Sequence, residues 1–386
     1  MASPAVTFEA LPAAYGDSLI VTCATPAGPW RLLVDTGTDG CWPSLKERLA
    51  KFPVAASGQR HIDLAVISHI DHDHIGAAAA LLSDTSLGLS FGDIWFNAPP
   101  QPASRGVAEG RSLASILGGT RAQLPWNLAW QGKSAVTSDT MPYLELPNAE
   151  GAPTITLLSP TPKSLATLFA VWDKEIKKLG KSEKPETPPA VDRGGPPSLE
   201  ELAARSTPTD HAPANGSSIA FMLEHQGVSL LLAADMHPTI LVPALKAMAA
   251  QRGLGLPMQV DIFKLSHHGS RANVTAEVLE AVQAQYYVVS TNGAIFGHPD
   301  DEAIARVILN GGRKRNIWFN YRNEHTSKWG AADLQSRYGY TAAFPVVEKG
   351  AVEIALEPRT APPEPVVRSS GARTVRGLRR SAPEDL

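Results

Sequence analysis

The run Ser68-His69-Ile70-Asp71-His72-Asp73-His74-Ile75-Gly76 constrains this chain more than any other. Five potential metal ligands (His69, Asp71, His72, Asp73 and His74) fall within six residues, directly after the apolar run Leu64 to Ile67. An Ala- and Leu-rich segment, Gly76 to Leu82, follows and reads as helix. A strand, a polar loop and a helix in that order is where α/β proteins place their ligand sites. Carboxylates packed together repel one another, and burying them unpaired is costly. A pair of divalent cations removes both costs. Imidazole and carboxylate ligands suit zinc, with manganese or iron as further options. The competing reading is an exposed polar turn.

Three more pieces carry similar residue types. Lys264-Leu265-Ser266-His267-His268-Gly269-Ser270 follows the apolar run Val260 to Leu265. On extended backbone, adjacent histidines point in different directions, so one can bind metal while the other contacts substrate or a supporting carboxylate. Leu230 to Asp235 is an apolar strand ending in a carboxylate, suited to bridging two metals. Gly297-His298-Pro299 comes after Val288 to Asn292. His61, His225 and His325 lie outside any cluster and read as surface residues; His237, two after Asp235, is a candidate for supporting the site.

The rest of the chain frames these motifs. Short strand-like runs and helical patterns intermix along the sequence, which predicts a layered α+β protein rather than a bundle or an all-β sandwich. With 43% hydrophobic and 19% charged residues, a sizeable core is available and global disorder is excluded. The net charge of −3 excludes an overall basic nucleic-acid binder. Two cysteines cannot build a disulfide framework or a four-thiolate zinc site. No apolar run has the length of a membrane span, and no secretory signal pattern is present, so a cytoplasmic protein without membrane contact is expected. Residues 160–215 read as an insertion: an amphipathic helix over Lys163 to Leu179, then a proline-rich loop from Glu183 to Ser198. The tail, 359–386, is basic and poor in apolar residues, so it is expected to be disordered and could touch a partner protein or nucleic acid.

The motif His69-x-Asp71-x-Asp73-His74-x-Gly76 resembles the metal motif of the metallo-β-lactamase fold, with Asp71 in place of the second histidine. Together with His267-His268-Gly269-Ser270, it is similar to the hydrolase domain of the ComEC competence proteins, without their membrane channel. Ala14 to Ile20, Leu33-Val34-Asp35-Thr36-Gly37, Asn215 to Ile219 and Gly297-His298-Pro299 resemble further family features in the family's order. The resemblance implies a four-layered αβ/βα sandwich of two mixed β-sheets, here a hydrolase domain over 1–358 interrupted by the insertion. It also implies two divalent metal ions. His69 and Asp71 would hold one, and Asp73 and His74 the other. Asp235 would bridge them, and His267 or His268 would complete the second site. The family's third histidine of the first site has no clear counterpart; Asn215, His211 or a water could stand there. By the same resemblance His72 points away from the metals, while Asp17 and Asp35 support ligands rather than bind.

These expectations describe a metal-dependent hydrolase, foremost a phosphodiesterase or nuclease using a metal-bridging hydroxide, with zinc preferred and manganese the alternative. Asp73, His298 and Ser270 are the candidate catalytic residues, the last two for protonating the leaving oxygen or orienting substrate. Nucleic acid or a small phosphodiester is the expected substrate, with local positive charge at Arg271, Arg313, Lys314 and Arg315. A hydrolase of lactones, thioesters or cyclic nucleotides is the alternative, and a non-catalytic interaction protein on the same fold is the third reading.

Overall fold

Apolar residues at consecutive positions, as in Leu230-Leu231-Leu232, need cover on both faces of a strand, and this chain supplies that cover by stacking two sheets between helices. The computed structural model describes residues 4–99, 109–118, 124–147, 149–179, 197–347 and 350–359. The first sheet contains β1 (Val6–Ala10), β2 (Leu19–Thr25), β3 (Gly28–Val34), β4 (Arg60–Val66) and β5 (Leu89–Trp95). The second contains β6 (Leu144–Glu145), β7 (Thr154–Ser159), β8 (Ala220–His225), β9 (Val228–Leu232), β10 (Met258–Lys264), β11 (Val282–Val289), β12 (Asn316–Phe319) and β13 (Thr341–Ala343). The last strand, β14 (Val352–Leu356), returns to the first sheet, whose order is β14-β1-β2-β3-β4-β5. The second runs β13-β12-β11-β10-β9-β8-β7-β6. Each sheet is mixed. The pairs β3–β4 and β4–β5 are parallel, as are β9–β10, β10–β11, β11–β12 and β12–β13, and the remaining pairs are antiparallel.

Side-chain alternation sorts the core into three layers. Phe8, Val21, Leu32 and Trp95 meet Phe221, Leu230, Ile262 and Val288 between the sheets. Ile20, Leu33 and Ile62 point the other way, onto helices Trp42–Ala50 and Ala78–Ser83 through Leu45, Leu49 and Leu81. Phe263, Tyr287 and Ile317 face helices Pro238–Gln251, Ala276–Ala281 and Asp301–Asn310 through Leu241, Val278 and Ile304. Helix, sheet, sheet and helix therefore form a four-layered αβ/βα sandwich.

The segment between β7 and β8 spans both helical layers. Helix Pro162–Leu179 contributes Leu168 and Trp172 to the layer over the first sheet. Helix Leu199–Ala204 contributes Leu199 and Leu202 to the opposite layer. Ser198 caps the second helix reciprocally: its hydroxyl accepts from the Glu201 amide, and its own amide donates to the Glu201 carboxylate. Arg306 then ties the returning chain down, donating to the carbonyls of Arg205 (2.7 Å), Arg271 (2.8 Å) and Val274 (2.9 Å). The proline-rich loop up to residue 196, and the basic tail from 360, lie outside the described residues.

Three local expectations change. The helix after the metal motif does not begin at Gly76. A short helix, His72–Ile75, starts inside the motif with Asp71 at its N-cap, and Ala78–Ser83 follows. Helix Trp42–Ala50 and strand β14 have no counterpart in the sequence reading. His225 is buried at the end of β8, donating from Nε2 to the Ala24 carbonyl (2.7 Å), because this sheet-to-sheet contact covers it. No helix among the described residues is long and apolar enough to cross a membrane.

Candidate metal centre

The site forms where the parallel strands of both sheets end, the position that open α/β sheets favour for ligands. Beyond β3, Asp35 takes a left-handed conformation (φ 59°), which turns its carboxylate under the next strand's loop. That carboxylate accepts from the Ser68 amide (2.7 Å), the Ser68 hydroxyl (2.7 Å) and His74 Nδ1 (2.8 Å). Past β4, His69, Asp73 and His74 are buried, the last two in the first turn of helix His72–Ile75. Gly16 lies against them. A Cβ there would sit 1.7 Å from the Asp73 carbonyl oxygen, so only glycine lets the 14–17 loop close over the motif. The adjacent Asp17 amide donates to that same oxygen (3.1 Å).

The second sheet supplies the facing half. Ala234 is left-handed (φ 44°) after β9 and presents Asp235, which is buried. The expectation of extended backbone at His267-His268 is overturned: both are left-handed (φ 50° and 54°) within the tight turn Ser266–Gly269. A bond from the His267 amide to the Ala234 carbonyl (2.9 Å) holds that turn against the end of β9. Both imidazoles consequently turn towards Asp235, each Nε2 lying 3.7 Å from its Oδ2. His268 is wholly buried, while His267 keeps part of its ring at the surface.

The donor chemistry fits a bound cation. His74 Nδ1 donates to Asp35 and His268 Nδ1 donates to the Ser290 carbonyl (2.8 Å), so in the neutral imidazoles both Nε2 atoms present lone pairs. Those two atoms face each other at 3.2 Å. Asp73 Oδ2 lies 3.0 Å from His268 Nε2, and Asp235 Oδ1 lies 3.3 Å from His74 Nε2. His69 Nε2 approaches Asp71 Oδ2 (3.6 Å) and Asp235 Oδ2 (3.9 Å). Buried His69 Nε2 and Asp235 Oδ1 have no hydrogen-bond partner. Ligand atoms of His69, His74 and Asp235 all lie within 4.8 Å of one another. Buried lone pairs and carboxylate oxygens that converge without donors between them are stable only around positive charge. Without a bound cation, that positive charge comes as protons on the imidazoles. Burial opposes charge on His74, yet Asp235, Asp73 and Asp35 hold its pKa well above the ordinary value. His267 rises to about 9 against the same burial, through Asp235 and Asp210.

Supporting groups occupy the outer side of each imidazole. Asp17 lies 3.4 Å from His268 Nδ1 and accepts from Lys264 Nζ (2.6 Å), all three being buried. Asp17 therefore backs His268 and is already neutralised. Asp210 gathers a second network: His267 Nδ1 at 3.4 Å, Asn215 Nδ2 at 2.7 Å, Asn273 Nδ2 at 3.1 Å and His237 Nε2 at 3.6 Å. The roles of Asp210 and Lys264 were not foreseen. Lys264 stood in a motif that drew attention to its histidines, whereas Asp210 carried no pattern at all. Asn215, a candidate for the missing ligand position, donates into the Asp210 network while its buried Oδ1 stays unpartnered. His211 is exposed, with its ring 6.4 Å from that of His237.

His72 leaves the cluster and lies 3.5 Å from Asp39 at the surface. His298 is buried, its ring 5.3 Å from that of His267 and its unpartnered Nδ1 3.5 Å from Asp300 Oδ2. The Ser270 hydroxyl accepts from the Ala272 amide (3.3 Å) in the turn that follows the histidine pair.

Residues 31–109, which hold Asp35 and the His69–His74 motif, match the family model of the metallo-beta-lactamase superfamily. Similar solved structures include the metallo-beta-lactamase fold protein YhfI from Bacillus subtilis, 11% identical over 90% of this chain and 99% of that one, with a TM-score of 0.36. Another is a candidate metal-dependent hydrolase from Parabacteroides distasonis ATCC 8503, 9% identical over 86% and 95%, with a TM-score of 0.29. No curated protein matches the chain. The two mixed sheets with their helical layers are the metallo-β-lactamase fold. That fold implies divalent-metal binding, and the superfamily match supports metal-dependent hydrolysis as the class of chemistry.

Proposed function

We propose that this protein is a binuclear metallo-hydrolase acting on phosphodiesters, with nucleic acid the foremost substrate class. One observation carries the reading: His69, His74 and His268 turn their Nε2 atoms inward onto Asp73 and Asp235 in a buried cluster. His69, Asp71 and Asp235 would hold one ion, and Asp73, His74, Asp235 and His268 the other, with His267 at the exposed edge. Zinc suits these donors best, with manganese the alternative. Bound there, the cations would supply a nucleophile at neutral pH and offset charge developing on the attacked phosphoryl oxygens.

The chain's own residues prepare that chemistry. Asp35 and the Ser290 carbonyl keep the Nδ1 protons of His74 and His268 in place, which leaves Nε2 free to bind. Lys264 neutralises Asp17, so the negative charge that remains belongs to the cluster. His298 is buried with its ring beside that of His267, which suits it to contact substrate at the edge of the cluster. The similarity of the paired motifs to the ComEC hydrolase domain favours phosphodiesters over other esters. We also take 1–358 as one hydrolase domain and 160–215 as an insertion within it.

A small-molecule hydrolase is the second reading, favoured by the near-neutral charge, because phosphate backbones are bound by clustered Lys and Arg. The deciding experiment reconstitutes the purified chain with zinc or manganese. It is then assayed on single-stranded DNA, double-stranded DNA, RNA, bis(p-nitrophenyl) phosphate and a panel of lactones and thioesters. Phosphodiester cleavage with either metal is expected. Activity confined to lactones or thioesters overturns the substrate class, and failure to retain either metal overturns the whole reading.

A further inference from the structure

Two loops meet beside the metal centre and carry aromatic rings out from it. Loop 14–17 is anchored at several points: the Ala14 amide donates to Tyr321 Oη (2.9 Å), the Asn292 amide to the Ala14 carbonyl (2.8 Å) and Ser290 Oγ to the Gly16 carbonyl (2.8 Å). Its other side rests on Asp73 through the Asp17 amide. The facing loop closes on itself by a bond from the Gly297 amide to the Gly293 carbonyl (3.0 Å), with both glycines left-handed (φ 69° and 72°). A Cβ on Gly293 would meet His325 Cδ2 at 2.4 Å, so this turn is also packed in place.

Between these anchors runs a continuous series of rings. Tyr15 meets Phe296 edge-on at 6.0 Å, Phe296 stacks with His298 at 6.0 Å and 29°, and His298 meets His267 at 5.3 Å. His267 Nε2 lies 3.7 Å from Asp235, inside the charged cluster. Tyr15 and Phe296 are only partly buried, whereas His298 is buried. The outer end of the series thus offers partly exposed aromatic surface on backbone that is already fixed, and its inner end is the candidate centre. Such surface binds flat π-systems with little ordering cost, because the rings carry few rotatable bonds and their loops are pre-set.

From this arrangement we infer a base-stacking subsite: Phe296, flanked by Tyr15, takes the nucleobase next to the phosphate held at the metal centre. The inference rests on the phosphodiester reading above and narrows it to substrates bearing a planar heteroaromatic ring. Neither Tyr15 nor Phe296 belongs to the proposed metal-binding set, so the subsite can be tested without dismantling the centre.

Isothermal titration of the zinc-reconstituted full chain with AMP and with ribose 5-phosphate separates ring from phosphate. AMP is expected to bind at least about fivefold more tightly, the low end of what one base–aromatic stack contributes. Phe296→Ala should remove that advantage while leaving ribose 5-phosphate unchanged, and Phe296→Trp should retain it. Equal affinity for the two ligands in the unaltered protein overturns the subsite. So does an equal weakening of both by Phe296→Ala, which would mark a structural role. Phosphodiester cleavage without ring-dependent AMP binding sinks the subsite and leaves the functional reading standing. Ring-dependent AMP binding without any cleavage supports the subsite and sinks that reading.

Discussion

The two ends of the second sheet both carry charged side chains and use them in opposite ways. Where β9, β10 and β11 begin, a cavity of about 1490 Å³ opens, lined by Arg252, Asp261, Arg313, Lys314 and Arg359 among others. Its carboxylates are answered by cations from the chain itself. Arg252 pairs with Glu224 (2.9 Å) and Glu145 (2.8 Å), and Arg359 pairs with Asp261. Where the same strands end, Lys264, the only buried ammonium among the described residues, is committed to Asp17. Asp73 and Asp235 are left with imidazoles alone. Volume would direct attention to the first end. Uncompensated buried charge directs it to the second, and charge is the better guide, since an open cleft can fill with water whereas a buried unpaired carboxylate is costly until a cation meets it.

Substitutions at the charged end should therefore have the larger consequences. Asp73→Ala is expected to lower phosphodiester turnover by about 10³-fold or more, the several kcal/mol a metal centre contributes to such a transition state. Far-UV circular dichroism should be unchanged, because Asp73 belongs to none of the three apolar core layers, and its short helix is anchored in the core through Ile75 instead. Unaltered turnover would break the assignment of charge to function. Lys264→Met leaves Asp17 ionised or protonated in a fully buried setting without its partner. A loss of about 3–5 kcal/mol in urea unfolding is expected from removing one member of a buried pair. A loss below ~1 kcal/mol would show that Asp17 needs no internal cation. Zinc itself should then stabilise the protein by about 2.7 kcal/mol at one hundred times its dissociation constant. The same titration with Asp235→Ala should show little of that gain, and an undiminished gain would place the zinc elsewhere.

The legible and illegible parts divide along the same line. The metal motif could be read because its ligands are adjacent in sequence and follow an apolar strand, so local density reveals them. Strands β4, β9 and β10 were equally plain from their apolar runs. Helix Trp42–Ala50 was not, since only Leu45 and Leu49 are fully buried along it and its apolar face is sparse. Strand β14 alternates Val352 and Ile354 with a glutamate over too few residues to stand out beside a proline-rich tail. The left-handed pair His267-His268 could not be foreseen either: nothing in two histidines asks for positive φ, which is imposed by the bond to Ala234 from another strand. Asp210 was invisible for the same reason. Its partners Asn215, His237, His267 and Asn273 converge only after the chain has folded.

The smallest expected effect tests the other half of the comparison. Arg252 pairs with two carboxylates, yet it is partly exposed, and Glu224 and Glu145 are exposed by 35% and 54% of their side chains. Removing it with Arg252→Met returns both carboxylates to water rather than stranding them. The expected cost is about 1 kcal/mol or less in urea unfolding, the range of solvent-screened pairs. Zinc affinity and turnover should both be unchanged, because the substituted residue lies at the opposite ends of the strands. If Arg252→Met instead costs as much as Lys264→Met, the cavity end depends on its ion pairs as strongly as the centre does. The distinction between compensated and uncompensated charge would then fail. If stability holds but turnover falls, the cavity is coupled to the centre through β9 and β10, and the two ends cannot be treated as separate sites.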